Sequence, residues 1–241
     1  MEKEGTAEYR RTQIAKYKLC GIDFKALDDS CTQVRLEGLH NNLKMLKIPD
    51  GVEEISSKLA YLKRNNLKLK VTPEIKEVGL PDSLKIIGED AFYEYSSLES
   101  VTIPDTVTEI GKFAFLNCFN LKRVEIHKQE KNSTGLQRID DSAFLDCKSL
   151  LEIELEDTIT YIGASAFNSS GLKGTLKLPK SLKELRVGAF SNTDIEVVDF
   201  NNCVGLNTIE IMVFNNCTKL KLDKNVPKHL TKRVKRMLKG E

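Results

Sequence analysis

The sequence repeats itself about every 23 residues, and that period constrains the fold more than any other feature. Three stretches align directly: LPDSLKIIGEDAFYEYSSLESV from Leu80, IPDTVTEIGKFAFLNCFNLKRV from Ile103 and LEDTITYIGASAFNSSGLKGT from Leu155. Weaker copies start at Leu43, Leu178 and Leu206. An anchor phenylalanine recurs at 92, 115, 144, 167, 190 and 214, at intervals of 23, 29, 23, 23 and 24. The apolar residue five positions earlier keeps step: Ile87, Ile110, Ile139, Ile162, Leu185 and Ile209. The one long interval is an insertion, HKQEKNSTG at 127–135, after which the register resumes at Leu136. A unit this short cannot bury its apolar side alone, so neighbouring units must stack into a solenoid.

Each unit can be read physically. In LESVTIP, Val101 and Ile103 flank Thr102, the alternation of a half-buried strand. Pro104 ends it, because a residue without an N–H cannot continue a ladder. Val107 and Ile110 turn inward on the return path, and Gly88, Gly111 and Gly163 are expected at a positive φ or a tight bend. Alanine then lets neighbouring coils approach, and phenylalanine fills the interior. Stacking sets one ring over the next at roughly the 5 Å strand spacing.

The pattern L-x-x-[VI]-x-[IL]-P-x-x-[VL]-x-x-I-G-x-x-A-F-x-x-C resembles the BspA-type leucine-rich repeat over about residues 34–225. The resemblance implies an α/β solenoid, a right-handed leucine-rich-repeat coil with a parallel β-sheet on one face. It also implies adhesion or binding to other proteins, often at a cell surface. The chain then divides into an N-terminal helical cap (1–33), about eight coils (34–225) and a basic capping helix (226–241).

Composition decides among functions. Lys and Arg total 37 against 35 Asp and Glu, so no global charge draws the chain to nucleic acid. The imbalance is local: 226–241 carries six Lys or Arg against one Glu. Apolar runs stop at four residues, as in Phe113 to Leu116, too short to span a bilayer. Residues 1–30 hold no apolar core of a secretory signal, which favours the cytoplasm; a leader trimmed upstream would favour the cell surface. No G-x-S-x-G, P-loop or G-x-G-x-x-G occurs, and no enzymatic activity or cofactor is expected. His40, His127 and His229 fall in different coils, which argues against a shared metal. Cys118, Cys147 and Cys217 each lie three residues after a repeat phenylalanine, so one repeat position accounts for them as small fillers; a Cys118–Cys147 disulfide is allowed but not required.

Residues between buried strand positions face outward. The candidates for partner contact are Glu99, Thr102, Arg123, Glu125, Glu152, Glu154 and Lys177. Their signs alternate between coils, which fits first a solvated face with cross-strand charge pairs and second a polar surface complementary to a protein partner. This face has no aromatic row for bases or sugars and no single-sign stripe for phosphate. The expected partner is another protein, or a surface glycan, held by this face or by the 127–135 loop, with the chain a monomer. The alternative is a membrane- or nucleic-acid-associated module acting through the basic C-terminal helix, whose stripe of Leu230, Val234, Met237 and Leu238 reads first as a seal for the last coil.

Overall fold

The computed structural model describes residues 6–19, 22–30, 33–39, 44–48, 50–57, 74–127, 134–201 and 203–238. The chain opens with α1 (Ala7–Leu19), β1 (Ile22–Ala26), β2 (Gln33–Leu39), β3 (Met45–Lys47), β4 (Glu54–Ser57) and β5 (Glu77–Gly79). The middle holds β6 (Ile86–Ile87), β7 (Ser100–Ile103), β8 (Glu109–Ile110), β9 (Arg123–Ile126), β10 (Arg138–Ile139) and β11 (Tyr161–Ile162). It closes with β12 (Lys173–Lys177), β13 (Glu184–Leu185), β14 (Asp194–Asp199), β15 (Thr208–Ile209), β16 (Leu222–Lys224), a 3₁₀ turn (Lys228–Leu230) and α2 (Thr231–Leu238).

These strands form a parallel β-solenoid. The longest sheet runs β1-β2-β4-β6-β8-β10-β11-β13-β15, and beyond its first strand every pairing is parallel. It lies on the return path, where the recurrent apolar residues pair in register: Ile87 with Ile110, Ile110 with Ile139, Ile139 with Ile162, Ile162 with Leu185 and Leu185 with Ile209. The sheet expected from the V-x-I strands is present but divided, into β3-β5-β7-β9 and β12-β14-β16. A parallel sheet on one face is therefore corrected to parallel ladders along two paths of the coil. The N-terminal segment also contains more than a helix, since β1 forms an antiparallel hairpin with β2.

The core is the predicted spine. Phe92, Phe115, Phe144, Phe167 and Phe190 are fully buried, and successive rings through Phe214 stack with centroids 5.1 to 5.8 Å apart. The backbone enforces this spacing. The N–H of each phenylalanine donates to the next coil: Phe92 to the Ala114 carbonyl, Phe115 to Ala143, Phe144 to Ala166, Phe167 to Ala189 and Phe190 to Val213, at 2.7 to 2.9 Å. Two left-handed residues four apart shape each of these turns: Asp90 and Glu94, Phe113 and Asn117, Ser142 and Asp146, Ser165 and Ser169, Gly188 and Asn192, Met212 and Asn216, all with φ between 54° and 63°. Asp, Asn and Ser tolerate this conformation through local hydrogen bonding. An amide ladder adds to it, with Asn192 donating to Asn168 and Asn216 to Asn192 at 2.8 and 2.9 Å.

The repeat glycines serve a different purpose from the one expected. Gly88, Gly111 and Gly163 do not have positive φ. They sit where two coils touch: a Cβ on Gly163 would lie 2.5 Å from the Asp140 carbonyl carbon and the Asp141 nitrogen, and one on Gly88 would lie 2.8 Å from the Ile55 oxygen. Close approach of backbones, not handedness, excludes a side chain there.

The C-terminal end is fastened to the last coils. Asn225 is left-handed, and its side-chain amide donates to Asp199 at 2.8 Å. Pro227 precedes the 3₁₀ turn that leads into α2. Leu230 and Val234 are buried, and a His229 ring nitrogen lies 2.8 Å from the Leu206 carbonyl.

Candidate functional site

The outward face of the divided sheet carries the charges the sequence placed there. On the β5-β7-β9 side, Glu99 accepts from Lys76 at 2.7 Å and from Lys122 at 3.0 Å, linking three consecutive coils. The hydrogen bond from Lys76, then that from Lys122, lowers the Glu99 carboxyl to about 2. Arg123 meets Glu125 at 3.4 Å along the same strand. On the far side, Asp194 meets Lys219 at 2.8 Å and Glu196 meets Lys221 at 4.0 Å. These are exposed pairs and contribute register more than stability.

Between the two halves the face opens. Residues 151–156, LEIELE, alternate as a strand should, yet they form none. The expectation that Glu152 and Glu154 project from a strand is corrected: the segment carrying them is irregular. It is tied to the next coil where the Lys173 N–H donates to the Leu151 carbonyl at 3.1 Å. Among the described residues, the amides of Glu152, Ile153, Glu154 and Leu155 donate to no acceptor, and β9 has ladder partners only in β7. The physical origin is the insertion. The coil joining β9 to this segment is 29 residues from phenylalanine to phenylalanine instead of 23, and the extra chain enters directly after β9.

The result is an open cleft of about 820 Å³. Five of the seven residues singled out from the sequence line it: Arg123, Glu125, Glu152, Glu154 and Lys177. Glu99 and Thr102 lie outside it, Thr102 on β7 opposite Glu125 of β9. Pattern reading of the strands overlooked Glu156, Asp157 and Thr158 at one end of the cleft. They lie in the turn after the broken ladder, which no local pattern distinguishes from a turn after an intact one. Burial raises the Glu156 carboxyl, although the Leu136 N–H and the Thr158 hydroxyl pull the other way. Asp157 is lowered, first by the Lys180 backbone N–H at 3.0 Å and also by the Lys180 ammonium at 3.0 Å. A second hollow of about 600 Å³ shares Lys122, Glu152 and Thr175 with the first and extends the trough toward Ser149. Of the 127–135 loop, residues 128–133 lie outside the described residues, as does His40.

The cysteines belong to the scaffold. Cys118, Cys147, Cys203 and Cys217 are free thiols. Cys118 Sγ donates to the Phe92 carbonyl at 3.2 Å, Cys147 to Phe115 at 3.3 Å and Cys217 to Phe190 at 3.2 Å, so the repeat position ties each coil to the one before. Burial raises Cys118 and Cys147 far above the ordinary thiol value. Cys20 and Cys31 lie outside the described residues. No helix among the described residues is long and apolar enough to cross a membrane.

A parallel solenoid with one stacked phenylalanine per coil and an outward strand face defines a leucine-rich-repeat protein. The profile of the BspA type Leucine rich repeat region matches in six copies over residues 63–174 and 137–239, and the chain belongs to that family. Two solved structures share the fold. A leucine-rich repeat protein of T. pallidum is 24% identical with a TM-score of 0.58, over 87% of this chain and 81% of that one. A leucine-rich cell surface protein of Faecalibacterium prausnitzii A2-165 is 22% identical with a TM-score of 0.62, over 85% of this chain and 53% of that one. No curated protein matches the sequence.

Proposed function

We propose that this chain is a non-enzymatic interaction scaffold that binds another protein through its outward strand face, with Glu99, Thr102, Arg123, Glu125, Glu152, Glu154 and Lys177 as the contact set. The observation that carries the reading is the open cleft at the break in that face, which gathers five of those seven residues. Membership of a leucine-rich-repeat family supports it, and so does the printed description of the F. prausnitzii relative as a cell surface protein. The solenoid is the body of the molecule (34–225), and the segments 1–33 and 226–241 seal its ends. Leu230 and Val234 support the C-terminal seal, since both are buried and an apolar stripe turned inward is not offered to a lipid surface. The scaffold acts as a monomer.

The test is a charge reversal on each side of the coil. Arg123→Glu with Glu125→Lys changes the outward face, and Lys112→Glu changes the return side, where Lys112 is exposed. Binding to an array of extracellular and cytosolic proteins should be lost in the first variant and kept in the second. Loss in both or in neither overturns the assignment of the face.

A further inference from the structure

We propose that the break beside β9 is a docking slot for one kind of partner segment: an extended peptide bearing lysine or arginine, taken up as an added strand. This rests on the protein-binding reading and names the chemistry of the partner.

Three observations converge on it. The first is the backbone. β9 pairs with β7 on one edge only, and among the described residues the four amides from Glu152 to Leu155 have no acceptor. A parallel sheet interrupted between two intact halves presents the groups an incoming strand requires, and main-chain bonds of that kind supply affinity without demanding a particular sequence. The second is shape. The trough beside 149–158 is continuous with β9 on one wall and reaches Thr175 and Lys177 of β12 on the other. Its floor is apolar, with Ile126 and Ile153 half-buried and Val124 and Leu155 buried. A strand lying there would set alternate side chains on that floor and the others outward.

The third is charge. Arg123 is held by Glu125, Lys122 by Glu99 and Asp157 by Lys180. Glu152 and Glu154 are exposed and form no ion pair among the described residues; of the cations along the trough, Lys173 and Lys177 are likewise unpaired. Half-buried Glu156 adds a third carboxylate at the far end, against those two lysines on the β12 wall. The outward rim of the slot is therefore negative, and the complementary segment alternates apolar and basic residues.

The probe is a capped peptide of about eight residues alternating lysine and valine, which spans about 26 Å when extended. Its partners in the assay are the same peptide with glutamate for lysine and a version N-methylated at alternate backbone positions. Binding to the full chain is followed by fluorescence anisotropy and by amide ¹⁵N shifts. The lysine peptide should bind about tenfold tighter than either control. Glu152→Lys with Glu154→Lys should weaken it by about tenfold, and raised salt should weaken it further. The largest shifts should fall on residues 122–126 and 152–156. Far-ultraviolet circular dichroism of the double variant must match the parent, and because both residues are exposed it should. Equal binding of the three peptides, no binding, or shifts centred on another sheet edge overturns the slot. The failures are separable: loss of the slot with retained sensitivity of protein binding to the Arg123 and Glu125 reversal leaves the face standing, and the converse result leaves the slot without the face.

Discussion

Phe144→Ala is the most direct trial of the stacked core. The ring is fully buried and lies 5.1 Å from both Phe115 and Phe167, nearly parallel to each. A buried phenylalanine removes about 150–250 Å² from water, which at ~25 cal/mol/Å² is worth about 4–6 kcal/mol. The alanine methyl retains about 1 kcal/mol of that, leaving a loss of about 3–5 kcal/mol, the range found for such truncations. Phe214 sits at the end of the stack, 8% exposed and with a single ring neighbour at 5.8 Å. Phe214→Ala should therefore cost roughly half as much. Glu125→Ala, at an exposed strand position, should cost well under ~1 kcal/mol. The assay is urea unfolding followed by circular dichroism and by tyrosine emission, since the chain has six Tyr and no Trp. Because coils contact only their neighbours, the Phe144 variant should also split the transition, with the two halves of the array melting apart. A Phe144 effect no larger than that at Phe214, or no larger than that at Glu125, would refute the coil-by-coil account of stability.

Three further outcomes follow from the packing and the charges. Gly163→Ala should destabilise by about 1–3 kcal/mol, because its methyl would strike the Asp140–Asp141 backbone at 2.5 Å; Gly174→Ala, with φ of 67° and nothing within 4 Å, should cost about 1 kcal/mol from backbone strain alone, and urea midpoints compare the two. The Glu99 carboxyl should titrate near 2 by carbon-detected NMR and move back toward the ordinary carboxylate value in Lys76→Ala with Lys122→Ala. Its folded value is depressed, so its small contribution to stability is full above the unfolded value, about 4.3, and disappears as pH falls toward 2. Cys118 and Cys147 should resist a thiol reagent at pH 8 in the native protein and react at the rate of coil opening, since burial holds both thiols protonated; prompt labelling of either would contradict the packing.

How much of this was legible in the sequence depends on how local the cause is. The phenylalanine spacing predicts the spine, because identical residues at one repeat position must stack once the coils do. The Ile and Leu five residues earlier predict pairing partners for the same reason. What the sequence did not disclose is non-local. LEIELE at 151–156 alternates more regularly than most strands in the chain, yet it forms none, because a strand is defined by its neighbours and the insertion after Ile126 moved one of them out of reach. The long return-path sheet was hidden for the opposite reason: two-residue strands such as Glu109–Ile110 carry no alternation to detect. Left-handed positions at Asp90, Asn117 and Ser142 suit their residues, whereas Phe113 and Met212 adopt the same conformation with nothing in their chemistry to announce it. Cleft residues Glu156 and Asp157 were missed with the break itself.

The amide of each repeat phenylalanine points toward the C-terminal neighbour, from Phe92 reaching Ala114 to Phe190 reaching Val213. Along this row the first coil is left with acceptors and the last with donors, while the strand paths run the opposite way, as where the Gly111 N–H donates to the Ile87 carbonyl, so the array has a head and a tail that are chemically unlike. A duplicated 23-residue cassette spliced between the Phe167 and Phe190 coils would find the correct complement above and below, so the molecule can lengthen by copying itself without redesign, whereas a cassette joined in reverse would set donor against donor.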